Sequence, residues 1–308
     1  YSWFKGWTLT FLILAVVSFN FLTNRFQLFQ FRNYAYGLNY DLKPKYDHEN
    51  ISELQQDKLK VENSIKENIE ILTHWSQKNK GINKPKMVFI NTSGGGLRSA
   101  LWTVHVLSFL DSITNQQLIK QTHLITGASG GMIGAAFYRE NYKKGIYGET
   151  MVNGNEMKSR ISKDLLNPLA FSIATTDMFY RFKKHDDGKY IYTKDRGWFF
   201  EKNLIENLNC FEGKRILDYK LPEYHSDIPM MIFSPSVVND GRRLLISPQK
   251  ITFLCSTDTS LFSEKIALEN IEFSTLFNKN DPQHLKISSA MRMNATFPYI
   301  LPMAFLPS

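Results

Sequence analysis

The stretch THLITGASGGMIGAAFY, residues 122–138, decides the fold. HLIT reads as a short buried strand and GMIGAAFY as a helix. Between them, Gly127-Ala128-Ser129-Gly130-Gly131 forms a tight turn around one hydroxyl. The pentapeptide satisfies G-x-S-x-G, a sharp strand-to-helix turn that holds a serine in a strained backbone conformation. Neighbouring side chains clash in such a turn unless they are very small, and Gly127, Ala128 and Gly131 meet that demand. A hydroxyl placed there stands at a helix N-terminus, where free N–H groups and the helix dipole favour developing negative charge. Ser129 is therefore the candidate nucleophile. A plain turn of small residues is the rival reading, and the strand before it and the helix after it count against that.

Upstream, NTSGGGLRSA (residues 91–100) also joins a strand, KMVFINTS, to a helix, GGGLRSALWTVHVLSFLDSI. Three successive glycines let backbone N–H groups converge on a small anion. A phosphate-binding P-loop requires Lys and then Ser or Thr after the glycines; Leu97, Arg98 and Ser99 stand there instead. A dinucleotide turn requires G-x-G-x-x-G, which Gly94, Gly96 and Ser99 meet only in part. The remaining reading is an oxyanion hole serving Ser129, with the two glycine turns meeting at one sheet edge if their strands are neighbours. Strand, glycine turn and helix, twice over, predict an α/β fold with a mostly parallel sheet sandwiched by helices. Strand texture returns over residues 229–254, with a turn at Asn239-Asp240-Gly241.

Taken together, these residues resemble the patatin-like phospholipase family. SGGGLRSALWTVHVL is similar to its glycine-rich oxyanion segment and the arginine that follows. ITGASGGMIGAAFY is similar to its G-x-S-x-G elbow. FSPSVVNDGRRLLIS and ISSAMRMNATFPYILP (residues 287–302) resemble a later strand and the Phe-Pro stretch near its second catalytic motif. The resemblance covers residues 86–308 and implies a lipid acyl hydrolase using a Ser–Asp dyad, without metal or organic cofactor. By position, Ser129 is the nucleophile and Gly94, Gly95 and Gly96 form the oxyanion hole. Arg98 supports the glycine loop or an anionic lipid head group. The family's aspartate belongs to an Asp-Gly-Gly or Asp-Gly-Ala motif, and none occurs here. Asp187-Gly188 and Asp240-Gly241 are the Asp-Gly pairs present. Asp240 reads as an ordinary turn residue, and the aspartate is expected beyond Ser308. Two rivals remain: a Ser-His-Asp α/β-hydrolase with His284 as base, and a catalytically silent lipid-binding subunit of a membrane complex.

Toward the N-terminus, GWTLTFLILAVVSFNFLTN (residues 6–24) is strongly apolar between Lys5 and Arg25. At 1.5 Å per residue it spans about 28 Å, which predicts a transmembrane helix. Arg25, Arg32, Lys43 and Lys45 then put the bulk of the chain on the cytoplasmic side of an inner membrane. The chain thereby divides into three segments: a transmembrane helix at 1–25, a juxtamembrane connector with a long amphipathic helix at 26–85, and the patatin-like domain at 86–308, incomplete at its C-terminal end. Residues 48–81 read as one helix, with Ile51, Leu54, Val61, Ile65, Ile69, Leu72 and Trp75 near helical spacing. Residues 165–190 are apolar and then basic. They are read either as a cap in which Phe171, Ile173, Met178 and Phe179 touch acyl chains, or as core.

Composition fits this picture. Of 308 residues, 43% are hydrophobic and 21% charged, an ordinary globular balance. The net charge of +8 is scattered, without the basic stripe of a nucleic-acid binder. It suits an anionic membrane surface, and membrane lipid is the expected substrate. The two cysteines, Cys210 and Cys255, show no metal-site spacing.

Overall fold

The computed structural model describes residues 2–26, 32–173, 184–255, 269–297 and 300–307. The chain divides into two units, Tyr1–Arg32 and Asn33–Ser308. The first holds a single described helix, α1 (Ser2–Phe26). Among the described residues no helix is long and apolar enough to cross a membrane. This corrects the expected transmembrane helix, and the inner-membrane localisation loses the element that carried it. The physical reason is the polar residues set into the stretch. Between Thr10 and Ser18 the unbroken apolar run rises only about 10 Å, against about 30 Å of hydrocarbon. Asn20, Thr23 and Asn24 interrupt the remainder of the stretch.

The second unit is an α/β fold built on a parallel three-stranded sheet in the order β1 (Val88–Thr92), β2 (Thr122–Gly127), β5 (Met230–Phe233). Two small sheets complete the strands among the described residues. The antiparallel pair is β3 (Lys184–Asp186) with β4 (Ile191–Thr193), and the parallel pair is β6 (Arg243–Leu245) with β7 (Asn270–Glu272). The main sheet shows the period of two that buries both faces of a strand. On β5, Met231 and Phe233 join the larger core, while Met230 and Ile232 join a second cluster with Ile71 and Ile251. Ile71 lies on α3 (Lys58–Lys78), which covers that second face. The larger core is filled from α4 (Gly96–Ile113), α6 (Ser129–Ile146), α9 (Arg196–Leu208) and α12 (Ile287–Asn294). Shorter helices lie in the connections: α5 (Gln117–Gln121), α7 (Gly154–Ile161), α8 (Asn167–Ser172), α10 (Lys220–Tyr224) and α11 (Phe273–Leu276).

The helix expected over residues 48–81 forms as two pieces, α2 (His48–Gln56) and α3. Asp57 divides them: its carboxylate accepts from the N–H groups of Leu59 and Lys60, so it caps α3 and ends α2. Apolar spacing alone does not show a break that a single side chain makes. Residues 33–38 are a packed connector, with Ala35, Tyr36 and Leu38 buried. Arg292, fully buried on α12, fastens them. Its Nε donates to Glu201 Oε1 at 2.7 Å and its guanidinium also donates to the Tyr34 carbonyl. Ser288 and Ser289 donate to the same Glu201 carboxylate. Of the expected lipid-touching cap, Phe171 is exposed, whereas Met178 and Phe179 lie outside the described residues.

Candidate active site

Parallel strands put their carboxyl ends on one edge of a sheet, which is where α/β folds gather their chemistry. Here the register is direct: Thr92, the last residue of β1, pairs with Gly127, the last of β2, and Gly127 pairs in turn with Phe233, the last of β5. The glycine turn leaving β1 and the elbow leaving β2 therefore start side by side. The Ala128 N–H donates to the Thr92 carbonyl at 3.0 Å, tying the two turns at their bases.

Ser129 is half-buried and opens α6 with φ +52°, the left-handed region that a side-chain-bearing residue adopts only under constraint. Gly127, at φ +155°, takes a conformation only glycine holds easily, and a Cβ there would overlap the Thr92 side chain. A Cβ at Gly130 would overlap the Gly96 carbonyl oxygen, one at Gly131 the Ser93 carbonyl, and one at Gly134 the Ala100 carbonyl. These three glycines let α6 lie directly on the glycine loop and on the first turn of α4. The spacing of small residues after Ser129 thus has a packing cause as well as a steric one at the turn itself.

The loop of residues 94–96 meets the serine. A Cβ on Gly94 would stand 3.4 Å from Ser129 Cβ, and the space above Gly96 is open. None of the Gly94, Gly95 or Gly96 N–H groups donates a hydrogen bond among the described residues. Free amides at the start of α4 and a hydroxyl at the start of α6 thus face one opening. Two helix N-termini converging in this way form an environment that favours an anion. The loop is closed by Ser99, whose hydroxyl donates to the Ser93 carbonyl at 2.6 Å. Arg98 is exposed on the same turn and makes no hydrogen bond or ion pair among the described residues. The side chain that braces the loop is that of Ser99.

Among the described residues no carboxylate or imidazole hydrogen-bonds Ser129. Asp240 accepts from the Tyr46 hydroxyl at 2.9 Å and pairs with Arg242 at 3.1 Å, as a turn residue does. Asp187 accepts from the Lys189 and Tyr190 N–H groups in the β3–β4 hairpin. His284 is exposed in a short 3-10 turn just before α12. The other end of α12 touches the elbow: Asn294 Nδ2 donates to the Gly127 carbonyl at 3.0 Å. A helix of that length separates its ends by about 10 Å, which removes His284 from hydrogen-bonding reach of Ser129. A cavity of about 690 Å³ opens between α4, α6 and α7, lined by His105, Asp111 and Tyr138. It lies along the distal halves of α4 and α6, away from the glycine turns, and takes no part in this site.

Sequence reasoning expected Ser129 and the glycines to meet at one sheet edge, where the structure brings them together, and did not anticipate the contacts of Ser99 and Asn294. Ser99 carried a signal, a hydroxyl one turn into a helix that opens on glycines. Asn294 carried none, since its partner lies 167 residues away.

No known family's sequence profile matches the chain, and no curated protein matches it by sequence. In structure it is similar to human GIVD cytosolic phospholipase A2 in complex with methyl γ-linolenyl fluorophosphonate. The identity is 11% and the TM-score 0.42, over 78% of this chain and 34% of that one. A second structure of that human phospholipase, with the same inhibitor and terbium chloride, gives 12% identity and a TM-score of 0.37, over 63% of this chain and 28% of that one. The chain thus spans about a third of that protein's length. The likeness assigns no residue a role.

Proposed function

We propose that the chain is a serine acyl hydrolase acting on the ester bond of a lipid. One observation carries this reading: Ser129, held at φ +52° on a strand-to-helix turn, faces the unpaired amides of residues 94–96 across a short gap. Strain at a single residue is retained where it aims a group, and the group aimed here is a hydroxyl.

In this reading Ser129 Oγ attacks the ester carbonyl carbon and passes its proton to a base. The resemblance to the patatin-like family makes that base an aspartate. The Gly94–Gly96 amides take the negative charge that gathers on the carbonyl oxygen. The tetrahedral intermediate collapses, the alcohol leaves with a proton, and water then releases the acyl group as a carboxylic acid. Arg98, exposed on the first turn of α4, suits an anionic head group. A lipid acyl chain is favoured over a polar acyl group because the chain just after Asn294 exposes Phe297, Ile300 and Met303.

A fluorophosphonate probe tests the reading, because it phosphonylates only an activated serine. The expected result is a single adduct on Ser129 by peptide mass mapping, absent from Ser129→Ala. The intact protein remaining unlabelled, together with no release of fatty acid from phospholipid vesicles, would favour the non-catalytic lipid-binding reading.

A further inference from the structure

We infer that Asn294 is a positioning residue that sets the aim of Ser129. This rests on the hydrolase reading and adds to it the device that orients the nucleophile.

The peptide unit between Gly127 and Ala128 lies one plate before the Ala128–Ser129 peptide that leads into the serine. Its N–H end donates to the Thr92 carbonyl at 3.0 Å, and its oxygen end accepts from Asn294 Nδ2 at 3.0 Å. A planar peptide held at both edges resists rotation, so the direction in which the chain enters Ala128, the residue just before Ser129, is set. The other half of the Asn294 amide is pinned too: its Oδ1 accepts from the Ser234 N–H at 3.0 Å. Ser234 follows Phe233, the residue of β5 that pairs with Gly127. One amide therefore bridges the ends of two neighbouring strands and anchors the C-terminus of α12 to both.

The chemistry demands an amide. A backbone N–H can only donate and a carbonyl can only accept, so the bridging group must accept on one side and donate on the other. The orientation of the Asn294 side chain follows from those two partners without ambiguity. An ionised carboxylate in its place accepts from Ser234 but turns an oxygen toward the Gly127 carbonyl. A protonated carboxyl restores the donor. Leucine, of similar size, restores neither bond.

The experiment measures the second-order rate of fluorophosphonate labelling of the full chain, with a thermal melt on each sample. Asn294→Leu is expected to label at least tenfold more slowly while still melting cooperatively. For Asn294→Asp, the ratio of its rate to that of wild type is expected to climb as pH is lowered from 8 to 5, because protonation returns the donor. Dividing by the wild-type rate cancels the titration of the catalytic base. A labelled wild type with Asn294→Leu reacting at the same rate, or an Asn294→Asp ratio flat with pH, overturns the positioning role and leaves the hydrolase reading intact. A wild type that takes no label overturns both. If Asn294→Leu fails to fold, the pH ratio of Asn294→Asp decides alone.

Discussion

At the scale of a single residue, the hydrolase reading has Ser129 set reactivity against stability. A residue with a Cβ in the left-handed region costs about 1 kcal/mol that glycine does not. Ser129→Gly is therefore expected to raise stability by about 1 kcal/mol in urea unfolding while abolishing turnover, and a loss of stability would show that the turn is not strained. Ser129→Ala, which keeps the Cβ and loses the hydroxyl, is expected to melt like wild type with activity down by a factor of about 10³ or more. Sequence and structure agree best at this scale. The elbow was legible because its cause is local: a strained turn needs small neighbours, and those neighbours are adjacent in the chain. The Asn294 bridge was not legible, because nothing around residue 294 shows that it meets residue 127.

Among the elements, the contact of α6 on α4 determines how closely hydroxyl and amides approach. Gly134 and Gly145 both lie on α6 and separate two effects of added methyl groups. A Cβ at Gly134 meets the backbone carbonyl of Ala100, which cannot move aside; one at Gly145 meets the end of the flexible Met151 side chain. Gly134→Ala is expected to cost about 2 kcal/mol by overpacking, whereas Gly145→Ala should be near neutral, its helix-propensity gain offsetting a small rearrangement. Equal melting temperatures for the two would dismiss the close helix crossing. The second face of the sheet offers a pH test. Lys78, near the end of α3, donates to the Ser226 and Asp227 carbonyls. Burial pulls its pKa down to about 8 from 10.5, against the opposing pull of Asp227. Between those two values the unfolded chain holds a proton that the folded chain has released, so this group makes stability rise with pH there. The melting temperature of wild type should gain on that of Lys78→Met between pH 8 and 10, and parallel profiles would refute the assignment. The α2–α3 break at Asp57 shows why helices were read less well than turns. Apolar spacing reports which face is buried, not where a carboxylate captures two amides.

Across the whole molecule, the second unit is fastened by polar contacts that join distant parts of the chain. Arg292 links residue 34, α9 and α12, and it is fully buried beside Glu201. Arg292→Met leaves Glu201 without its counter-charge and is expected to cost about 3–5 kcal/mol in denaturant unfolding. Adding Glu201→Gln should recover part of that loss, and a double variant no more stable than the single one would show that the pair is not coupled. The parallel sheet, its two covered faces and the meeting of the glycine turns were readable from alternating strand and helix texture. The apolar N-terminal stretch was misread because its length was counted across Thr10, Ser18 and Asn20 as though they were apolar. The glycine contact between α6 and α4 also works as a ruler. Because backbone meets backbone there, the spacing of hydroxyl and amides rests on main-chain atoms. On the hydrolase reading, surface segments far from that contact can change in length and polarity, and with them the range of molecules admitted, while hydroxyl and amides keep their spacing.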